Sequence, residues 1–145
     1  MQQATDKFRG TGVAIVTPFK KSGDIDYPAF GKIIDHLIRN MVEYLVVMGT
    51  TGETPTLSRE EKREVLQYAV ERVNARVPVV VGMGGNNTAE VVLSILEMEC
   101  KGADAILSVS PYYNKPQQQG IYEHFRIIAE ASPVPVILYT VPGRT

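Results

Sequence analysis

The sequence predicts an α/β protein built on a parallel sheet, and three observations carry that prediction. Apolar runs begin near residues 13, 44, 77, 103 and 135, each separated from the next by one helical stretch, so a strand-helix unit recurs about every 30 residues. The runs are continuous rather than alternating, as in strands covered on both faces. Polar and aromatic groups gather just after the runs, where parallel α/β folds carry their chemistry. Two architectures satisfy the pattern: an open doubly wound sheet, complete at five strands, or the first half of an eight-stranded (β/α)8 TIM barrel of about 250 residues. An open fold normally closes with a helix over its last strand, whereas the residues after Tyr139 read as a loop. The expectation is a barrel, with residues 1–145 as the N-terminal part of a single domain and about the first four and a half β/α units.

Val13-Ala14-Ile15-Val16 reads as the first strand, stopped by Thr17-Pro18-Phe19 and followed by a polar turn from Lys20 to Asp26. Asp26 is placed to cap a helix whose apolar stripe is Phe30, Ile33, Ile34, Leu37, Ile38 and Met41. Tyr44 to Met48 is the second strand. Ser58-Arg59-Glu60-Glu61 then has the form of a capping box, with Val65, Leu66, Ala69 and Val73 facing the core. Val77 to Val81 is the third strand. The loop Gly82-Met83-Gly84-Gly85-Asn86-Asn87 lacks the third glycine of a dinucleotide fingerprint, since Asn87 stands there. Thr88 is expected to cap the third helix, with the stripe Val91, Val92, Ile95 and Leu96, and Gly102 to end it. Ala103 to Val109 is the fourth strand. After the loop Ser110 to Pro116 comes a helix using Ile121, Tyr122, Phe125, Ile128 and Ala129, and Pro135 to Tyr139 is the fifth strand.

A content of 44% hydrophobic and 21% charged residues is that of an ordinary globular domain. The charges are dispersed, 15 basic against 16 acidic, so no large field draws nucleic acid or an anionic membrane, and any anion selectivity is local. Cys100 stands alone, which excludes a disulfide framework and a thiolate metal cluster and fits a reducing, cytoplasmic setting. Met1 to Gly10 has no apolar stretch behind Lys7 and Arg9 and is not read as a signal peptide. No apolar run approaches the roughly 18 residues needed to span a bilayer.

The chemistry centres on Gly49-Thr50-Thr51-Gly52-Glu53, where the second strand hands over to a loop. Two glycines allow a tight turn, and two threonines add hydroxyls to the backbone N–H groups, making a small cradle suited to a carboxylate. The same residues also suit a plain glycine turn with Thr56 or Ser58 capping the next helix. Thr17, Thr50, Thr51, Asn86, Tyr112, Tyr113, Tyr139 and Arg144 follow successive strands and would surround one mouth of a barrel. Two phenols and one aliphatic hydroxyl can relay a proton, each donating and accepting. Packing in a core or interface is the competing reading of Tyr112 and Tyr113. Arg144 supplies a fixed cationic fork for a carboxylate. His36 and His124 fall within helices, where solvent-facing or core-edge positions are expected.

Gly49-Thr50-Thr51-Gly52-Glu53, Pro111-Tyr112-Tyr113-Asn114-Lys115-Pro116, Tyr122-Glu123-His124-Phe125 and Tyr139-Thr140-Val141-Pro142-Gly143-Arg144-Thr145 together resemble the 4-hydroxy-tetrahydrodipicolinate synthase (dihydrodipicolinate synthase) family, from about Arg9 onward and over the first half of that family's barrel. The resemblance implies a lyase-type aldolase joining pyruvate to aspartate-4-semialdehyde in lysine biosynthesis, through a pyruvate Schiff base on a lysine and with no metal or cofactor. It implies that Thr50 and Thr51 hold the pyruvate carboxylate, that Tyr139 is the general acid/base, and that Thr51 links it to Tyr113 from the neighbouring subunit. Arg144 would bind the semialdehyde carboxylate or position the relay. The implied assembly is a homotetramer of tight dimers. The imine-forming lysine of the family lies beyond Thr145, and Lys20, Lys21, Lys32, Lys62, Lys101 and Lys115 are in turns or helices, so this stretch alone is expected to be inactive. Asn86, Glu90 and Tyr112 match positions of the lysine effector site, but basic Arg59 and Lys62 stand nearby, so weak lysine inhibition is expected. N-acetylneuraminate lyase and keto-deoxy sugar acid aldolases share the cradle and the lysine; Arg144 favours a small acidic aldehyde over a polyol. A noncatalytic half-barrel fragment is the alternative of another class.

Overall fold

The computed structural model describes residues 6–98 and 100–144; Thr145 of the last motif and residues 1–5 of the N-terminal stretch lie outside them. Five strands alternate with four helices: β1 (Gly12–Ala14), α1 (Tyr27–Arg39), β2 (Tyr44–Val47), α2 (Arg59–Val73), β3 (Val79–Gly82), α3 (Thr88–Met98), β4 (Ala105–Val109), α4 (Gln118–Ala131) and β5 (Val136–Tyr139). Every pairing is parallel and the spatial order is β1-β2-β3-β4-β5, with Gly12 opposite Tyr44, Leu45 opposite Val79, Val80 opposite Ala105 and Ile106 opposite Val136. A doubly wound sheet reverses its strand order part-way and carries helices on both faces. Here the order never reverses. Phe30 and Ile34 of α1, Val65 and Ala69 of α2, Ile95 of α3 and Ile128 of α4 all join one core with Leu45, Val47, Val79, Val81 and Ile106. The intervening residues Val46, Val80 and Ala105 form a separate inner cluster with Tyr44, Leu107 and Ile137, and Phe8 packs edge-on against Tyr44 at 5.7 Å. Helices on one face and, apart from Phe8, strand side chains on the other make this a curled half of a (β/α)8 barrel. Because the inner face is packed by neighbouring strands, the runs read as apolar throughout.

Local signals explain the helix starts. The Asp26 carboxylate accepts from the Ala29 N–H at 2.9 Å. At α2 both bonds of the capping box form: the Ser58 hydroxyl accepts from the Glu61 N–H at 3.1 Å, and the Glu61 carboxylate accepts from the Ser58 N–H at 2.8 Å. The cap of α3 is one residue earlier than expected. Asn87 accepts from the N–H groups of Ala89 and Glu90, while Thr88 is already helical and turns its hydroxyl to His124.

Other expectations are corrected. The first strand stops at Ala14, before Ile15 and Val16; the third begins at Val79, the fourth at Ala105 and the fifth at Val136, although single backbone bonds such as Ile15 N–H to the Val46 carbonyl continue past these ends. Met48 is not in the second strand: it turns with φ 56°. Met41 is 84% exposed, because α1 has ended and the chain has turned through a left-handed conformation. Leu96 and Tyr122 point to solvent rather than the core. His36 is exposed as expected, but His124 is fully buried.

Candidate active site

The loops after the strands converge on a hollow of about 430 Å³ whose wall includes Thr50, Ser110, Tyr112, Tyr139 and Arg144. Each loop is held by short-range bonds. After β2, Gly49 to Glu53 forms a tight turn in which the Gly52 N–H closes onto Gly49 and the Glu53 N–H onto Thr50, so the turn's own bonds begin only at Gly52. The N–H groups of Thr50 and Thr51 precede them. Thr17, buried at the end of the first strand's loop, donates to the Gly52 carbonyl at 2.8 Å, and Thr54 donates to the carbonyls of Met48 at 2.6 Å and Gly49 at 3.1 Å. Thr54 was not singled out from the sequence; a hydroxyl residue just past a glycine turn is the signal that marks it.

Glycines bring the loops together. A Cβ on Gly82 would lie 2.0 Å from the Met48 carbonyl oxygen, and one on Gly84 would lie 2.6 Å from Val109 Cγ1 and 2.8 Å from its backbone nitrogen. The glycines of that loop therefore serve contact between adjacent strand ends. The loop after β4 is tied from three sides: Ser110 N–H donates to the Tyr139 carbonyl at 2.9 Å, Tyr112 N–H to Asn86 Oδ1 at 2.8 Å, and Tyr113 N–H to the Arg144 carbonyl at 3.2 Å. These bonds offset the left-handed backbone of Tyr113, φ 69°, which disfavours an aromatic residue by about 1 kcal/mol or more. Met48, on the wall of the hollow, and Glu53 of the same turn are also left-handed.

Of the candidates read from the sequence, Thr50, Tyr112, Tyr139 and Arg144 share this wall. Thr51 is exposed and off it, and Tyr113 is 94% exposed. No side-chain hydrogen bond among the described residues joins Thr51, Tyr113 and Tyr139. Asn86 and Glu90 border a neighbouring hollow of about 310 Å³, which also meets Arg59 and Lys62. Arg59 is paired there with Glu90 and Glu97, each at 3.3 Å. Among the described residues no group of His, Cys, Asp and Glu is arranged to hold a metal ion, and no helix is long and apolar enough to cross a membrane.

Hydroxyls, a guanidinium and a glycine-threonine turn at the carboxyl ends of consecutive parallel strands are the marks of a barrel-enzyme site, the class this fold and hollow define. The chain belongs to the dihydrodipicolinate synthetase family, whose sequence profile matches residues 7–145. A 4-hydroxy-tetrahydrodipicolinate synthase from Parabacteroides distasonis is 53% identical over 137 residues, which cover 94% of this chain and 46% of that protein. The dihydrodipicolinate synthase of Aquifex aeolicus superposes with a TM-score of 0.88 at 46% identity, over 95% of this chain and 47% of the other. A chloride-inhibited dihydrodipicolinate synthase from Acinetobacter baumannii, solved in complex with pyruvate, gives 0.89 at 45% identity, over 94% and 47%. The chain spans about half the length of the curated relatives it matches.

Proposed function

We propose that this chain supplies the first part of the single barrel domain of an enzyme that condenses pyruvate with aspartate-4-semialdehyde to 4-hydroxy-tetrahydrodipicolinate, at the entry to lysine biosynthesis in the cytoplasm. The observation that carries the reading is the hollow bordered by Thr50, Tyr139 and Arg144 at the strand ends. Pyruvate brings a carboxylate for the N–H and hydroxyl groups of Thr50 and Thr51. A lysine outside these residues forms the imine, which draws electrons from the pyruvate methyl group and makes it the nucleophile. Tyr139 donates and takes protons near the imine, and Arg144 receives the carboxylate of the aldehyde. Tyr113, almost fully exposed on a loop held in a strained conformation, is suited to reach into the site of a neighbouring subunit, within a tight dimer of a homotetramer.

Lysine inhibits this enzyme weakly or not at all. Its ammonium would have to displace Arg59 from Glu90 beside the positive charge of Lys62. A sub-millimolar inhibition curve would refute this. The catalytic reading is tested by mass spectrometry after pyruvate and borohydride. The full-length enzyme should gain one reduced pyruvyl group and the 145-residue polypeptide none; an adduct on the short chain, or none on the long one, overturns it.

A further inference from the structure

We propose that His124 is a positioning residue that, by joining α4 to the first residue of α3, holds the loop after β3 whose Asn86 takes the Tyr112 N–H, and so fixes the loop 110–114 carrying Tyr112 and Tyr113. The ring is 3% exposed. Its Nδ1 lies 2.8 Å from the Thr88 hydroxyl, while Nε2 is buried without a hydrogen-bond partner among the described residues. With the Thr88 hydroxyl donating to Nδ1, the ring proton sits on Nε2. His124 of α4 thus meets the first residue of α3, and the loop in question begins immediately after Val109, the last residue of β4.

The other end of the connection is held as well. Two residues before Thr88, Asn86 accepts the Tyr112 N–H at 2.8 Å, and Gly84 of the same loop has no room for a Cβ against Val109. The loops after β3 and β4 therefore move as one body only while the first turn of α3 is fixed to α4. A leucine or phenylalanine at position 124 would fill the volume without burying an unpaired nitrogen. The imidazole adds direction, through its bond to Thr88.

The catalytic meaning of this device rests on the reading above, but its test does not use activity. Amide exchange is measured residue by residue in the full-length enzyme, together with the ¹⁵N shifts of the His124 ring. In Thr88→Val, which removes one hydroxyl, Tyr112 and Tyr113 amides should exchange about tenfold faster, the order expected for one lost hydrogen bond. Leu45, whose N–H donates to the Pro78 carbonyl in the central sheet, should keep its protection, and the Nδ1 shift should lose its acceptor character. His124→Phe should behave alike, and His124→Asn, whose Oδ1 can accept from Thr88, should restore most of the loss. If His124→Phe does not fold, Thr88→Val decides alone. Unchanged Tyr112 and Tyr113 exchange, or equal acceleration at Leu45, overturns the proposal. Failure of pyruvate trapping in the full-length enzyme would sink the proposed reaction and leave these exchange results standing.

Discussion

Tyr139 and Gly82 are two residues whose substitution separates chemistry from packing. Tyr139→Phe keeps the ring on the wall of the hollow and removes the one proton it can move; in the full-length enzyme kcat should fall about 100-fold or more, with little change in KM for pyruvate. An unchanged kcat would remove Tyr139 from the reaction. Gly82→Ala acts through sterics alone. Its Cβ would meet the Met48 carbonyl, a backbone atom that cannot rotate away, so destabilisation of about 1–3 kcal/mol or more is expected in urea unfolding. Gly143, with nothing within 4 Å of its would-be Cβ, is the neutral control. His124 gives the pH dependence a sign. Burial holds its ring below the ordinary histidine range, with the Val109 backbone pulling the other way. The unfolded chain takes up that proton near pH 6.5. Stability from this group is thus complete above about pH 6.5 and is lost as the pH falls below it. Between about pH 6.5 and 5, Tm should drop more steeply for the wild type than for His124→Asn; parallel curves would contradict this.

At the level of helices and strands, the caps make the sharpest comparison. Ser58→Ala removes the capping box of α2 and should reduce stability by about 1 kcal/mol. Asn87→Ala should do the same at α3, whereas a Thr88 substitution acts through His124. The box at Ser58 was legible because its two bonds lie three residues apart in sequence. The choice between Asn87 and Thr88 was not, since both are good caps and only a ring from α4 decides which hydroxyl or amide is free. The five parallel strands were legible from their spacing and apolar runs; the half-barrel shows in the unreversed strand order and in helices packed on one face, which spacing alone does not specify. Leu96 and Tyr122 were misplaced because helical periodicity marks an apolar face without saying what covers it. Likewise Thr50 and Tyr139 were read correctly as strand-end residues, but their shared wall depends on how far adjacent loops lean together, which Gly82 and Gly84 set through contacts distant in sequence.

At the scale of the whole fold, the sheet among the described residues has unpaired outer edges at β1 and β5, and Leu138 on β5 is 60% exposed. Such edges recruit other strands. The isolated 145-residue polypeptide should therefore self-associate with rising concentration in sedimentation, and Leu138→Lys should reduce the effect; a strictly monomeric chain at all concentrations would contradict this. The unbroken strand order has a temporal consequence too. Gly12 waits only for Tyr44, Leu45 for Val79, Val80 for Ala105 and Ile106 for Val136, so each ladder closes over a single repeat. Loop closure is correspondingly short-ranged. A ribosome releasing this chain from its N-terminus hands over each strand just after its neighbour and the helix that covers them, and the curl can grow at the pace of translation, leaving only the outer edge of β1 open.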